Sequence, residues 1–160
     1  MQDILIVVDM QNDFIDGALG TAEAVGIVEK VKEKIQGFSG KVFFTRDTHE
    51  ENYLHTREGQ YLPVPHCIRN TKGWKIHSEL GEIPEENIVN KVTFGSVELG
   101  EMLREENQKD VIQSITLIGL CTDICVISNA MLAKAFLPFA LMMPILHVCG
   151  NWSFWSFLTR

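Results

Sequence analysis

The stretch GLCTDICV, residues 119–126, carries two cysteines four positions apart behind an apolar run. Such a pair can be a disulfide, two ligands of a metal ion, or a reactive thiol with its neighbour. A disulfide is disfavoured because Cys121 falls in a predicted turn and Cys125 in a predicted helix. A metal clip would need more ligands, and Cys67, beside His66, belongs to a different loop. The nucleophile is therefore favoured over both.

Cys125 is the better candidate for that nucleophile. A helix predicted to begin near Asp123 places Cys125 in its first turn, where the helix dipole stabilises the reactive thiolate. Lys91 would stabilise the same charge, and Asp9 is the candidate general base. Backbone amides around Cys121 and Cys125 could form an oxyanion hole. A buried structural cysteine is the alternative, and the residue type alone slightly favours it.

A second set of chemically capable side chains lies in the long, irregular stretch 47–86. Asp47 and His49 are two positions apart, so in an extended segment they face the same way. His55 and His66 follow in the same loop, and all four side chains could converge on one cation. Carboxylate and imidazole suit Zn, Fe or Mn. Scattered surface histidines are the alternative, with about equal weight at this point.

Four short apolar runs are typical of strands buried on both faces. They are DILIVVD (3–9), KVFFTRD (41–47), NIVNK (87–91) and ITLIGL (115–120). Apolar spacings of three and four predict a helix over 22–37, and further helices are predicted around 99–103 and over 123–136. This alternation predicts an α/β fold with three α/β/α layers and a central parallel sheet.

The candidate residues all lie at the carboxyl ends of the predicted strands. Asp9, Asp47 and Lys91 end three of them, and the loop 119–125 follows the fourth. Ligands of open α/β sheets bind at this edge. Strand ends also become polar simply because they surface, but that explanation is much weaker for four positions together.

Composition limits the class of protein. The chain has 160 residues, enough for one domain, and a net charge of −7 disfavours a general nucleic-acid surface. The N-terminus has no basic leader and carries Asp3 and Asp9, unlike a signal peptide. Four cysteines without a leader favour a reducing compartment, so we expect a cytoplasmic protein with a small-molecule substrate.

At these residues the chain resembles the nicotinamidase/pyrazinamidase branch of the isochorismatase-like cysteine hydrolases. The resemblance rests on DMQNDF (9–14), D-T-H followed by PHC (47–67), KVTFGS (91–96) and GLCTDICV (119–126). All four motifs come in the family's order, the resemblance covers roughly residues 3–138, and the expected hydrolase domain is residues 1–138. The resemblance implies that Cys125 is the nucleophile, Asp9 the proton shuttle and Lys91 the third member of a triad.

The same resemblance implies the rest of the site. The backbone amides of Cys121 and Cys125 would form the oxyanion hole, beside a cis peptide between Leu120 and Cys121. Phe14 would pack on the substrate ring. The implied metal ligands are Asp47, His49 and His66, with His55 as a further candidate. One divalent ion (Zn, Fe or Mn) would hold the pyridine nitrogen of the substrate.

The implied activity is hydrolysis of nicotinamide to nicotinate and ammonia through a cysteine thioester, a step of NAD salvage. Pyrazinamide is an expected further substrate, and a homo-oligomer is expected. The alternatives are another isochorismatase-like small-molecule hydrolase, although the isochorismatase branch lacks the metal histidines present here, and an inactive homologue disabled by the aberrant tail.

The stretch 139–160 departs from the family as an atypical hydrophobic tail of the same domain. From Ala135 onward Arg160 is the one charged residue, and six of the 14 aromatic residues lie between Phe136 and Phe157. A tail that pairs between subunits would explain this composition, as would a membrane contact, although Pro138 and Pro144 interrupt a spanning helix. We favour a reading-frame change that replaces the family's last helix and strand, with 139–148 still supplying a fifth strand.

Overall fold

The fold is built on one parallel sheet. The computed structural model describes residues 1–149, and for residues 144–149 it describes the backbone alone. Its strands are β1 (Gln2–Val8), β2 (Lys41–Asp47), β3 (Ile88–Lys91), β4 (Ile112–Gly119) and β5 (Leu141–Cys149). They pair in parallel in the order β3-β2-β1-β4-β5. The order starts from the centre at β1 and runs outward in both directions, as in other open α/β sheets.

Helices fill the connections between the strands. They are α1 (Asn12–Ile15), α2 (Ala22–Gln36), α3 (Arg57–Tyr61), α4 (Val97–Lys109) and α5 (Ile127–Phe136). Short 3₁₀ turns at Tyr53–His55, Ser78–Leu80 and Glu85–Asn87 lie in the long connection between β2 and β3. Thr21 and Ser96 cap α2 and α4, each accepting a hydrogen bond from the backbone three residues on.

The sheet is covered on both faces, which gives the predicted three α/β/α layers. Along β1, Ile4, Ile6 and Val8 point into one core that also contains the buried side of α4 and α5. Leu5 and Val7 point into a second core, which contains the buried side of α2. All five side chains are fully buried, as the continuous apolar run predicts for a central parallel strand.

The predicted elements are confirmed with small changes at their ends. Each of the four predicted strands is present, and the helices predicted over 22–37 and around 99–103 are α2 and α4. The third predicted helix begins at Thr122, and its first turn, Thr122–Val126, is a π-helical turn that precedes α5. The strand expected over 139–148 is β5, which pairs with β4.

Residues 150–160 lie outside the described residues, and with them the expected replacement of the family's last helix and strand. Within residues 1–149, the helices are too short or too polar to cross a lipid bilayer.

Candidate active site

Strand pairing brings the predicted site residues to one edge of the sheet. Val8, the last residue of β1, pairs with Thr45 of β2 and with Gly119 of β4. Asp9, the residue after Val8, therefore lies at the edge of the sheet between β2 and β4. At the ends of β2 and β3, Asp47 pairs directly with Lys91. The four segments thus meet although they lie far apart in the chain.

Lys91 stands at the centre of this group. Its Nζ lies 2.7 Å from Asp9 Oδ2, 3.1 Å from Asp47 Oδ1 and 3.7 Å from Cys125 Sγ. Asp9 Oδ1 accepts a second hydrogen bond from the Thr45 hydroxyl at 2.7 Å. Lys91 and Asp9 are each only 1% exposed. The predicted triad is therefore assembled, and its lysine also contacts a predicted metal ligand.

Burial determines the protonation of the triad. It raises the pKa of Cys125 well above its ordinary value; the charge of Asp9 raises it further, and Lys91 acts in the opposite direction. Burial also raises the pKa of Asp9 by more than Lys91 lowers it. Lys91 acts on the thiolate as expected, but burial and Asp9 outweigh it, so the expectation of a resting thiolate is corrected. The resting group is a thiol that needs a base, and Asp9 has an acceptor oxygen beside it.

The segment that carries Cys125 begins with a sharp backbone turn. Gly119 has φ +119°, and a side chain there would meet the carbonyl oxygen of β1's last residue. The Leu120–Cys121 peptide is cis, as the resemblance implied. The carbonyl of Cys121 then accepts hydrogen bonds from the amides of Ile124 and Val126. Cys121 and Cys125 are free thiols, which excludes the disulfide in this structure.

Three predicted metal ligands converge beside the triad. One ligand atom each from Asp47, His49 and His66 lies within 4.8 Å of the others. His66 Nδ1 lies 2.8 Å from the carbonyl oxygen of Val64, which leaves Nε2 to face the group. His49 Nε2 is buried, has no hydrogen-bond partner among the described residues, and lies 3.0 Å from Asp47 Oδ2. An imidazole nitrogen and a carboxylate oxygen buried this close together fit a shared cation.

The charges around these ligands also favour a cation. Burial raises the pKa of Asp47, but Lys91 and His49 lower it more, to about 2, so the carboxylate is ionised at neutral pH. Burial lowers the pKa of His49, but Asp47 and Glu58 raise it more. The negative field of two carboxylates therefore acts directly on the imidazole nitrogen.

The structure replaces one candidate ligand and adds another acidic group. His55 is exposed on its 3₁₀ turn, outside the converging group, so it is not brought to the other three. Glu58, on α3, lies nearer: its Oε1 is 3.8 Å from His49 Nε2, and its side chain lines the pocket. No motif in the sequence distinguishes Glu58 from the other acids of the loop.

A small pocket, partly open to solvent, joins the two groups. Its apolar wall consists of Phe14, Leu19, Leu62, Phe94, Leu120 and Ile124. Asp47, Glu58, His66, Cys121 and Cys125 supply its polar edge. The ring of Phe14 lies 5.5 Å from that of His66, so an aromatic side chain and a candidate metal ligand face the same space. A small, flat, uncharged molecule fits such a lining.

The segment 9–14 also holds the metal-ligand loop in place, which the sequence did not indicate. The fully buried Gln11 donates to the Asp47 carbonyl at 2.8 Å and accepts from the Asp47 amide at 2.7 Å. Asp13 Oδ2 accepts from the Cys67 amide at 2.7 Å, next to His66. One short motif therefore carries the candidate base and fixes the backbone at two candidate metal ligands.

The family model of the isochorismatase domain matches residues 3–135 of this chain. The chain belongs to the isochorismatase family. A curated relative, the uncharacterized isochorismatase family protein PncA of Bacillus subtilis (strain 168), is 30% identical over an alignment of 147 residues that covers 81% of this chain and 77% of the relative. The family assignment agrees with the fold and with the order of the motifs.

Solved structures of related proteins have the same fold. The pyrazinamidase of Pyrococcus horikoshii in complex with zinc is 27% identical, with a TM-score of 0.77 over 99% of this chain and 92% of that one. The nicotinamidase/pyrazinamidase PncA from Bacillus subtilis is 26% identical, with a TM-score of 0.74 over the same shares. This isochorismatase-family chain is therefore a hydrolase whose structural relatives include nicotinamidases and pyrazinamidases.

Proposed function

We propose that this hydrolase is a metal-assisted amidase that converts nicotinamide to nicotinate and ammonia, with pyrazinamide as a further substrate. One observation carries the proposal: Lys91 Nζ contacts Asp9, Cys125 and the candidate metal ligand Asp47 at once. A substrate in the pocket would therefore meet the nucleophile and the metal ligands together. The names of the related structures, nicotinamidase and pyrazinamidase, support the same reaction.

Asp47, His49 and His66 would hold one divalent ion (Zn, Fe or Mn), with the carboxylate of Glu58 within reach. An ion held there would coordinate the pyridine nitrogen of the substrate and so fix the position of the substrate ring. Phe14, whose ring faces His66, would pack on the substrate ring and exclude water from one side. The amide would then point toward Cys125.

The first half of the reaction forms a thioester. Asp9 accepts the proton of the Cys125 thiol, and Sγ attacks the amide carbon of the substrate. The developing oxyanion is held by the backbone amides of Cys121 and Cys125. Asp9 returns the proton to the amide nitrogen, the C–N bond breaks and ammonia leaves. Lys91 keeps Asp9 in position through both proton transfers.

The second half regenerates the enzyme. Asp9 accepts a proton from a water molecule that attacks the thioester carbon, and the same two amides hold the oxyanion. The C–S bond breaks, nicotinate leaves, and Asp9 returns the proton to Cys125 Sγ. The raised pKa of Asp9 suits this role, because a base that gives and takes a proton near neutral pH needs a pKa shifted toward that range.

Ammonia release from nicotinamide tests the proposal, measured with and without a chelator beside Cys125→Ala. We expect turnover that the chelator removes, that added Zn²⁺ restores, and that Cys125→Ala lacks. Full activity of Cys125→Ala would overturn the mechanism. Turnover that is insensitive to the chelator would favour an isochorismatase-like hydrolase of another substrate, and no turnover at all would favour the inactive homologue.

The proposed reaction belongs to NAD salvage, and we propose a cytoplasmic location for it. We also propose a homo-oligomer, supported by the exposed apolar side chains of Ile127 and Met131 on the outer side of α5. Sedimentation at several protein concentrations tests that state, and a monomer at all of them would contradict it.

A further inference from the structure

Asn129 is a fully buried polar residue beside the active site that the proposed chemistry does not use. It lies on α5, four residues after Cys125, and is 0% exposed. Its Nδ2 donates to the carbonyl oxygen of Cys125 at 2.8 Å and to that of Phe94 at 3.0 Å. Its Oδ1 accepts from the amide of Ser96 at 3.0 Å. One side chain thus joins the nucleophile segment to the loop that follows β3.

The surroundings of this side chain require a carboxamide. Two carbonyl oxygens need two N–H donors, and the amide of Ser96 needs an acceptor. Among side chains of this size only Asn provides both. Asp in its place would put an oxygen against two carbonyl oxygens, and Leu would leave all three backbone groups without this partner. The three bonds therefore fix the orientation of the amide as well as its presence.

The loop that Asn129 holds forms part of the pocket wall. Phe94 lines the same pocket as Cys125, and its carbonyl is one of the groups that Asn129 binds. The next residue, Gly95, lies directly against α5: a Cβ there would come within 2.6 Å of Leu132 Cδ1 and 3.2 Å of the Ser128 carbonyl oxygen. The loop is therefore fixed to α5 by the close packing of Gly95 and by two hydrogen bonds with Asn129, one at Phe94 and one at Ser96.

We propose that Asn129 is a positioning residue that fixes the Phe94 wall relative to Cys125 and so sets how wide a ring reaches the nucleophile. The ring-shaped substrate rests on the proposed function, whereas the control of access rests on the contacts alone. Loss of the carboxamide frees the loop at Phe94 and at Ser96 together. The wall then moves while the triad of Asp9, Lys91 and Cys125 keeps its own contacts.

The test measures access to Cys125 without using the enzymatic reaction. Alkylation of Cys125 by small iodoacetamide and by bulky N-phenylmaleimide is followed by peptide mass spectrometry, which separates it from the other cysteines. In Asn129→Leu we expect the rate ratio of the bulky to the small reagent to rise about tenfold. Asn107→Leu is the matched control: Asn107 on α4 also holds a backbone amide, that of Ile112 at 2.8 Å, far from the pocket. In Asn107→Leu we expect the rate ratio of the bulky to the small reagent to stay at the wild-type value.

A second variant covers the case in which Asn129→Leu does not fold. Gly95→Ala leaves Asn129 in place but pushes the loop off α5, so the same ratio rises. With nicotinamide, both variants raise KM by more than they lower kcat, because the wall orients the ring and the triad is intact. An unchanged reagent ratio in every folded variant overturns the proposal, whatever the outcome of the nicotinamidase assay. A ratio that rises equally in Asn107→Leu also overturns it.

Discussion

Replacement of Lys91 by Met tests whether one cation holds the two buried acids together. The side chain of Lys91 is 0% exposed, and those of Asp9 and Asp47 are 1% and 8% exposed. Lys91→Met keeps much of the volume but leaves both carboxylates buried without their shared partner. Removal of one member of a buried ion pair costs about 3–5 kcal/mol. For a protein of this length that lowers Tm by about 6–20 °C.

The pH dependence of this loss follows from the sign of the pKa shifts. Lys91 lowers the pKa of both Asp9 and Asp47, so its removal raises both, and that of Asp9 already lies above its unfolded value in the wild type. A folded-state pKa above the unfolded value destabilises the fold wherever the group is ionised, and protonation relieves it as pH falls through the folded pKa. The difference in the free energy of unfolding between wild type and Lys91→Met therefore becomes smaller as pH falls from 8 to 5.

Urea denaturation across this pH range measures the difference in the free energy of unfolding. A chelator is present, so that no divalent ion neutralises Asp47. Lys109→Met is the matched control, because Lys109 also pairs with an acid, Glu106 at 2.7 Å, but on the surface, where little change in Tm is expected. Equal losses in Lys91→Met and Lys109→Met would refute the reasoning. So would a difference that becomes larger toward acidic pH.

Three further predictions concern the candidate nucleophile Cys125, the candidate metal ligands and the backbone turn at Gly119. Alkylation of Cys125 by iodoacetamide rises without a plateau up to pH 9, because burial and Asp9 raise the pKa of the thiol; a plateau below pH 7 would contradict this. Gln11→Leu lowers Zn²⁺ affinity about 10- to 100-fold, measured by competition with a chromophoric chelator, because the backbone of Asp47 loses its clamp. Gly119→Ala lowers the free energy of unfolding in urea by about 1–3 kcal/mol from backbone strain alone, and an unchanged midpoint would exclude that strain.

The sequence was sufficient for the sheet and for the residues at its edge. Buried parallel strands are continuous apolar runs, and the chain marks their ends with Asp9, Asp47 and Lys91. Since parallel strands align at one edge, residues far apart in the chain meet there. The pattern also predicted a fifth strand in a stretch that otherwise departs from the family.

The supporting residues could not be predicted in the same way. Gln11 binds the backbone of Asp47, 36 residues away, and Asn129 binds that of Phe94, 35 residues away. Backbone groups are the same at every residue, so no residue type in the sequence marks these partners. Glu58 was missed for a related reason, because only the path of the loop decides which of its acids turns inward. The raised pKa of Cys125 depends on burial, which spacing does not give.

The shared contacts of Lys91 limit how this family can diversify. A variant without His49 and His66 would lose two candidate metal ligands but would still need Asp47, because that carboxylate also pairs with the buried lysine. Conversely, a metal-ligand loop grafted from a relative must bring a carboxylate that matches the lysine already in place. We therefore expect substitutions in the candidate ligand loop and in the candidate triad to be non-additive.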